Sequence, residues 1–119
     1  VEYRSDNDVR VIAEMDEVLR AASQRFSEGA SAQESIDATN GAISLAVEMP
    51  AELFVRMSPQ TMVSLLEVST SDDRMLQKVA EALLIQADVF QAEGYLIEAG
   101  ARREQASAVL EFIDPARAN

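Results

Sequence analysis

Leu76-Gln77-Lys78-Val79-Ala80-Glu81-Ala82-Leu83-Leu84-Ile85-Gln86-Ala87-Asp88-Val89-Phe90 decides the fold class of this 119-residue chain. Leu76, Val79, Ala80, Leu83, Ala87 and Phe90 recur at steps of three and four, the period of one face of an α-helix. Leu84, Ile85 and Val89 widen that face, so the helix is expected to meet neighbours on more than one side. Gly94 marks a turn. Beyond it, a last helix from about Leu96 to Ile113 sets Ala99, Arg103, Ala106, Leu110 and Ile113 at helical spacing, with Val109 and Phe112 alongside. Asp114-Pro115 is the expected stop. Upstream, Ser69 to Asp73 is a polar break in which Thr70 with Asp73, or Ser69 with Asp72, offers a helix cap.

Towards the N-terminus the same grammar repeats. Residues 1–7 are polar and expected to fray, with Asp6 or Asn7 capping a helix that begins near Asp8. Val11, Met15, Val18, Ala22 and Phe26 form its stripe, flanked by Ile12, Ala13 and Leu19, and Gly29 ends it. Ser31-Ala32-Gln33-Glu34 reads as a capping box for a second helix reaching about Glu48. Ile36, Thr39, Ile43 and Val47 are its inner seam, widened by Ala32, Ala42, Leu45 and Ala46. Gly41, in mid-helix, costs ~1 kcal/mol relative to Ala; it either lets another helix come close or is simply tolerated. Pro50 suits the first turn of a short helix carrying Leu53, Phe54 and Met57, and Ser58-Pro59 opens another with Met62, Val63, Leu65 and Leu66. Two helices this short need docking, and they read as a buried connector. The expectation is one helical domain over 1–119: an N-terminal helix at 8–28, a helix plus connector at 31–68, and a hairpin at 71–114.

Composition agrees with helices and narrows the chemistry. Hydrophobic residues make up 48% of the chain and aromatics only 5%, with no Trp, so the core is aliphatic. The absence of Cys removes disulfide and thiol chemistry. The absence of His removes Ser-His-Asp triads, the HExxH zinc motif and the Glu-x-x-His pairs of di-iron bundles. A net charge of −11 repels DNA, RNA and anionic lipid. No signal peptide or membrane span is read, and a cytoplasmic location is expected. The chain opens on Val1 rather than Met, so a short natural N-terminal piece is expected to be missing.

Two stretches carry a resemblance. One is the connector from Leu53 to Leu66; the other is Ala92-Glu93-Gly94 with Glu98-Ala99 and Ala106. With the helix at Val9 to Phe26, they resemble a family of small bacterial all-helical proteins of unknown function whose C-terminus is a tetratricopeptide-like helical hairpin. The resemblance implies an all-α fold: an antiparallel helical assembly with a short-helix connector and that hairpin at its end. Against the ~34-residue repeat, Ala87 fits the small position of the first helix, Phe90 the aromatic position and Gly94 the turn. Ala99 and Ala106 fit the small positions of the second helix, and Leu83 joins them in hairpin packing. Gln86 stands where Leu is usual, Arg103 where an aromatic is usual, and Gly100 is awkward in a helix. A single repeat leaves a face that the rest of the chain, or a second subunit, must cover.

No phosphate loop, GxSxG or calcium loop is present. The carboxylates best suited to magnesium or acid–base work are Asp72, Asp73, Asp88, Glu93 and Glu98. Asp72-Asp73 reads more simply as acids in a helix's first turn, and Glu14, Asp16 and Glu17 as a solvated face. Tyr95 and Arg103 read as covering apolar surface. No catalytic, metal or cofactor residue is assigned. The reading is a non-catalytic module whose partner is protein, with a homodimer expected through Val11, Ile12, Met15, Val18, Leu19, Ala22 and Phe26. The alternatives are a carboxylate-based divalent-metal enzyme and a small-ligand sensor with a cavity between helices.

Overall fold

The computed structural model describes residues 2–69 and 72–114, and the side chains of residues 7–68 and 72–114. Among these residues the chain is all-α: α1 (Glu2–Ser27), α2 (Ala32–Val47), α3 (Ala51–Phe54), α4 (Pro59–Ser69), α5 (Asp73–Ala92) and α6 (Leu96–Ile113). α5 and α6 pack tightly along one another as a helical hairpin. α1 and α2 pair with each other and both lie against α5, while α4 lies against α6.

The turns are built from the residues that the sequence nominates. Gly29 and Gly94 take φ of 101° and 85°, the left-handed region that side chains with a Cβ avoid. Each closes its helix with a reversed bond: Ala30 N–H reaches Arg25 O at 2.9 Å, and Tyr95 N–H reaches Phe90 O at 2.9 Å. Ser58 Oγ accepts the Thr61 amide at 3.2 Å at the start of α4. α2 ends on Glu48 in the left-handed region, and Ser44 Oγ then accepts the Ala51 amide at 3.0 Å, satisfying a donor at the start of α3.

Several expectations are corrected. α1 begins at Glu2, not near Asp8. Residues 2–8 contain neither Gly nor Pro, and each residue added to an existing helix gains a hydrogen bond without a new nucleus. Asn7 lies inside the helix and accepts from Arg10 at 3.0 Å. The Ser31–Glu34 box is half made: Ser31 Oγ accepts the Glu34 amide at 3.1 Å, but the Glu34 carboxylate pairs with Arg25 of α1. Pro50 precedes α3 as its cap rather than occupying its first turn. Asp72 caps α5, accepting the Arg74 amide at 2.9 Å; Thr70, Pro115 and the side chain of Ser69 lie outside the described residues.

One hydrophobic cluster draws on all six helices, with Met15, Ile43, Phe54, Met62, Leu66, Leu76 and Leu83 fully buried. Burial fixes which face each helix turns inward. In α1 the centre is Met15, Leu19 and Ala22, whereas Val11, Val18 and Phe26 are half-buried. In α3 Phe54 is buried and Leu53 is exposed. In α6 the inward residues are Ala99, Gln105, Ala106 and Val109, not Arg103, which is exposed.

Candidate functional site

The most elaborate chemistry in the molecule is a polar network where α2, α5, α6 and the connector meet. Gln86, 1% exposed, donates from Nε2 to Thr39 Oγ1 at 2.9 Å and to Asn40 Oδ1 at 2.7 Å. Its Oε1 accepts from Arg102 Nε at 2.9 Å. Arg102 also donates to the Val55 carbonyl at 3.3 Å, and its guanidinium stands 5.4 Å from the centre of the Phe90 ring. Gln105 Nε2 donates to the Val55 and Met57 carbonyls at 2.8 and 3.0 Å. Desolvation pulls the Arg102 pKa below its ordinary value, opposed by the charge of Glu98. The guanidinium stays charged because its intrinsic pKa is so high, and its hydrogen bonds run to neutral acceptors. The network clamps the connector backbone onto the hairpin. Sequence reasoning missed Arg102 and Gln105; the available signal was Gln86, a polar residue at an apolar position.

The carboxylates nominated for metal chemistry are spread apart. Asp72 is held by Arg74, whose side-chain hydrogen bond keeps its pKa below the usual 3.8. Asp88 pairs with Arg103 at 3.4 Å. Asp73, Glu93 and Glu98 are exposed. Among the described residues no group of three or more carboxylates could hold a metal ion. Asp16 is more than a solvated face residue: it accepts from Lys78 Nζ at 2.6 Å, tying α1 to α5, and also pairs with Arg20. The Lys78 bond lowers the Asp16 pKa and raises that of Lys78, which also meets Glu81 at 3.0 Å.

Of the residues named for self-association, Met15, Leu19 and Ala22 are buried in the chain's own core. Val11, Ile12 and Val18 pack half-buried against that core, and Phe26 is half-buried. The hairpin residues come together: Leu83, Ala87, Ala99 and Ala106 are buried, and Phe90 meets Tyr95 edge-on at 6.4 Å.

Clefts open on the surface that the described residues form. One, about 330 Å³, lies between α1 and α5 and carries Asp16, Arg20, Glu81 and Asp88 around Leu84 and Ile85. A second, about 190 Å³, lies between α1 and α2 and is lined by Val18, Ala21, Ala22, Ser35 and Ala38, with Arg25 and Glu34. A third, about 380 Å³, lies between α4 and α6, with Glu111 as its charged residue. At the hairpin turn, Tyr95, Leu96 and Ile97 are 57%, 66% and 87% exposed. No helix of the described residues is long and apolar enough to cross a membrane.

No protein-family model matches the chain, and neither a curated protein nor a solved structure is similar to it. The resemblance noted above therefore carries architecture, a compact all-helical protein ending in a hairpin, and no family or source.

Proposed function

We propose that this chain is a non-catalytic helical interaction module that binds protein, including a second copy of itself, in the cytoplasm. The observation that carries the reading is the run Tyr95-Leu96-Ile97. Three consecutive large apolar side chains stand mostly in water at the tip of the hairpin. Their burial against a partner releases about 1.5–3 kcal/mol for each fully covered side chain. Glu93 and Glu98 flank the run, so the tip suits a protein surface with an apolar pocket and a neutral or basic rim, and repels anionic lipid or nucleic acid. The engagement of Asp72 with Arg74, and of Asp88 with Arg103, supports a non-catalytic reading.

The test is affinity capture from the native cell extract with the full chain and with Leu96→Asp/Ile97→Asp. A protein retained by the first and lost from the second, then reproduced with purified components, is the expected result. Identical retained sets for the two chains would defeat the reading.

A further inference from the structure

We infer that the outward edge of the Arg102 guanidinium, backed by the Phe90 ring, is a binding point for a carboxylate carried by a protein partner. The inference rests on the interaction-module reading above and adds a polar recognition point to its apolar tip. Geometry, charge and position each support it.

Two of the three guanidinium nitrogens are committed within the chain. Nε donates to Gln86 Oε1, and Nη1 donates to the Val55 carbonyl and approaches Gln105 Oε1 at 3.5 Å. Nη2 makes no hydrogen bond to the described residues. It reaches solvent, because Ser35 Oγ is the one buried side-chain oxygen or nitrogen among these residues that lacks a partner. The cation is therefore held on one side and presents two N–H donors on the other.

The clamp on the connector does not need this charge. Gln105 Nε2, which is neutral, holds the same Val55 carbonyl at 2.8 Å. A half-buried cation that meets only neutral acceptors keeps a desolvation cost that an anion would offset. Arg20, Arg25, Arg74, Lys78 and Arg103 are each paired with a carboxylate. Arg102 forms no ion pair among the described residues, and neither does Arg56, which stands exposed directly after the Val55 carbonyl that Arg102 holds. The charge of Glu98 reaches Arg102 without an ion pair and so competes only weakly with a bound acid.

Position links the cation to the tip. The Arg102 guanidinium stands 5.4 Å from the centre of the Phe90 ring, and that ring meets Tyr95 edge-on at 6.4 Å. Tyr95 opens the exposed run that continues through Leu96 and Ile97. A ligand that carries an acid beside apolar side chains matches both features. One cation balances one negative charge, so a carboxylate suits the site. A phosphate dianion leaves excess charge on a chain that already carries −11.

The experiment is an NMR titration of the isotope-labelled full chain with N-acetyl-leucine, N-acetyl-leucinamide and inorganic phosphate. The expected result is a saturable shift of the Arg102 Nε–H signal and the Ile97 amide with N-acetyl-leucine, and no Arg102 shift with the amide. Arg102→Gln, checked for folding by circular dichroism, should weaken binding roughly tenfold or more. Glu98→Gln leaves the clamp intact and should tighten binding roughly twofold. An unmoved Arg102 signal, an equal response to acid and amide, or tighter binding of phosphate overturns the carboxylate site. Affinity capture keeps the two readings apart. A partner lost with Leu96→Asp/Ile97→Asp but kept with Arg102→Gln overturns the carboxylate site alone. N-acetyl-leucine bound at Arg102 by a chain that captures no protein overturns the module reading and leaves the site.

Discussion

Gln86 and Arg102, sixteen residues apart, are joined by a 2.9 Å hydrogen bond from Nε to Oε1 across the middle of the α5–α6 hairpin. The bond places a cation where the hairpin would ordinarily be apolar, and it commits both residues to each other. Replacing Gln86 by Leu improves the local helical pattern yet strands Arg102 Nε and removes the donor to Thr39 and Asn40, although Thr39 still donates to the Ser35 carbonyl. The expected loss is about 1–3 kcal/mol in urea unfolding. The double variant Gln86→Leu/Arg102→Leu should lose less than the sum of the two single variants. Additive losses would show that the two residues act independently.

Ser35 offers the opposite sign. Its hydroxyl is buried and unpartnered, and Ala is the better helix former. Ser35→Ala should stabilise the fold by about 0.5–1.5 kcal/mol, read as a higher urea midpoint at unchanged slope. A lowered midpoint would mean that the hydroxyl is satisfied in solution.

Acid and base should act on opposite partners of the α1–α5 link. Asp16 titrates below its ordinary 3.8 and Lys78 above its ordinary 10.5, each chiefly through their mutual hydrogen bond. The depressed acid contributes stability above its unfolded pKa and loses it as pH falls through the folded value. The raised base contributes below its unfolded pKa and loses it as pH rises through the folded value. The stability difference between wild type and Lys78→Met should therefore be flat between about pH 5 and pH 9 and shrink below about pH 4. Melting temperatures of the two proteins across that range test it, and a difference that persists undiminished at about pH 2 contradicts it.

Phe54 tests the connector. The ring is fully buried although its helix is only four residues long. Phe54→Ala should cost about 3–5 kcal/mol, as for other large core truncations. Leu53→Ala, at an exposed neighbour, should change stability by less than about 0.5 kcal/mol. Comparable losses at both positions would show that the inward face of α3 is wrongly placed.

The helices were legible because their signals are local. Apolar spacing located α5 and α6, Gly29 and Gly94 marked real left-handed turns, and Ser58-Pro59 opened a real helix. Rotation about each helix axis was less legible, since it depends on how many neighbours a helix meets. The stripe Val11, Met15, Val18, Ala22 and Phe26 holds two of the three central residues, Met15 and Ala22, but the third is Leu19, read as a flank, while Val11, Val18 and Phe26 are only half-buried. The polar network was illegible for a related reason. Whether Arg102 or Arg103 turns inward is a matter of one residue's rotation, and its acceptors are carbonyls at Val55 and Met57 that every residue possesses.

The clamp on the Val55 and Met57 carbonyls also fixes an order of events in time. Gln105 lies 50 residues beyond Val55 in the chain and 48 beyond Met57, so its bonds to them form only after a large loop has closed. A four-residue helix has no independent lifetime in water; α3 is held at its start by Ser44 of α2, and the carbonyls just beyond its end by a hairpin made later in the chain. Synthesis from the N-terminus delivers the connector before the residues that hold it. Until α6 emerges, the segment between α2 and α4 has no partner for those carbonyls, and Phe54 lacks part of its shelter. In the finished molecule, if α5 and α6 part, the connector loses the bonds from Arg102 and Gln105 and keeps the one to Ser44 of α2.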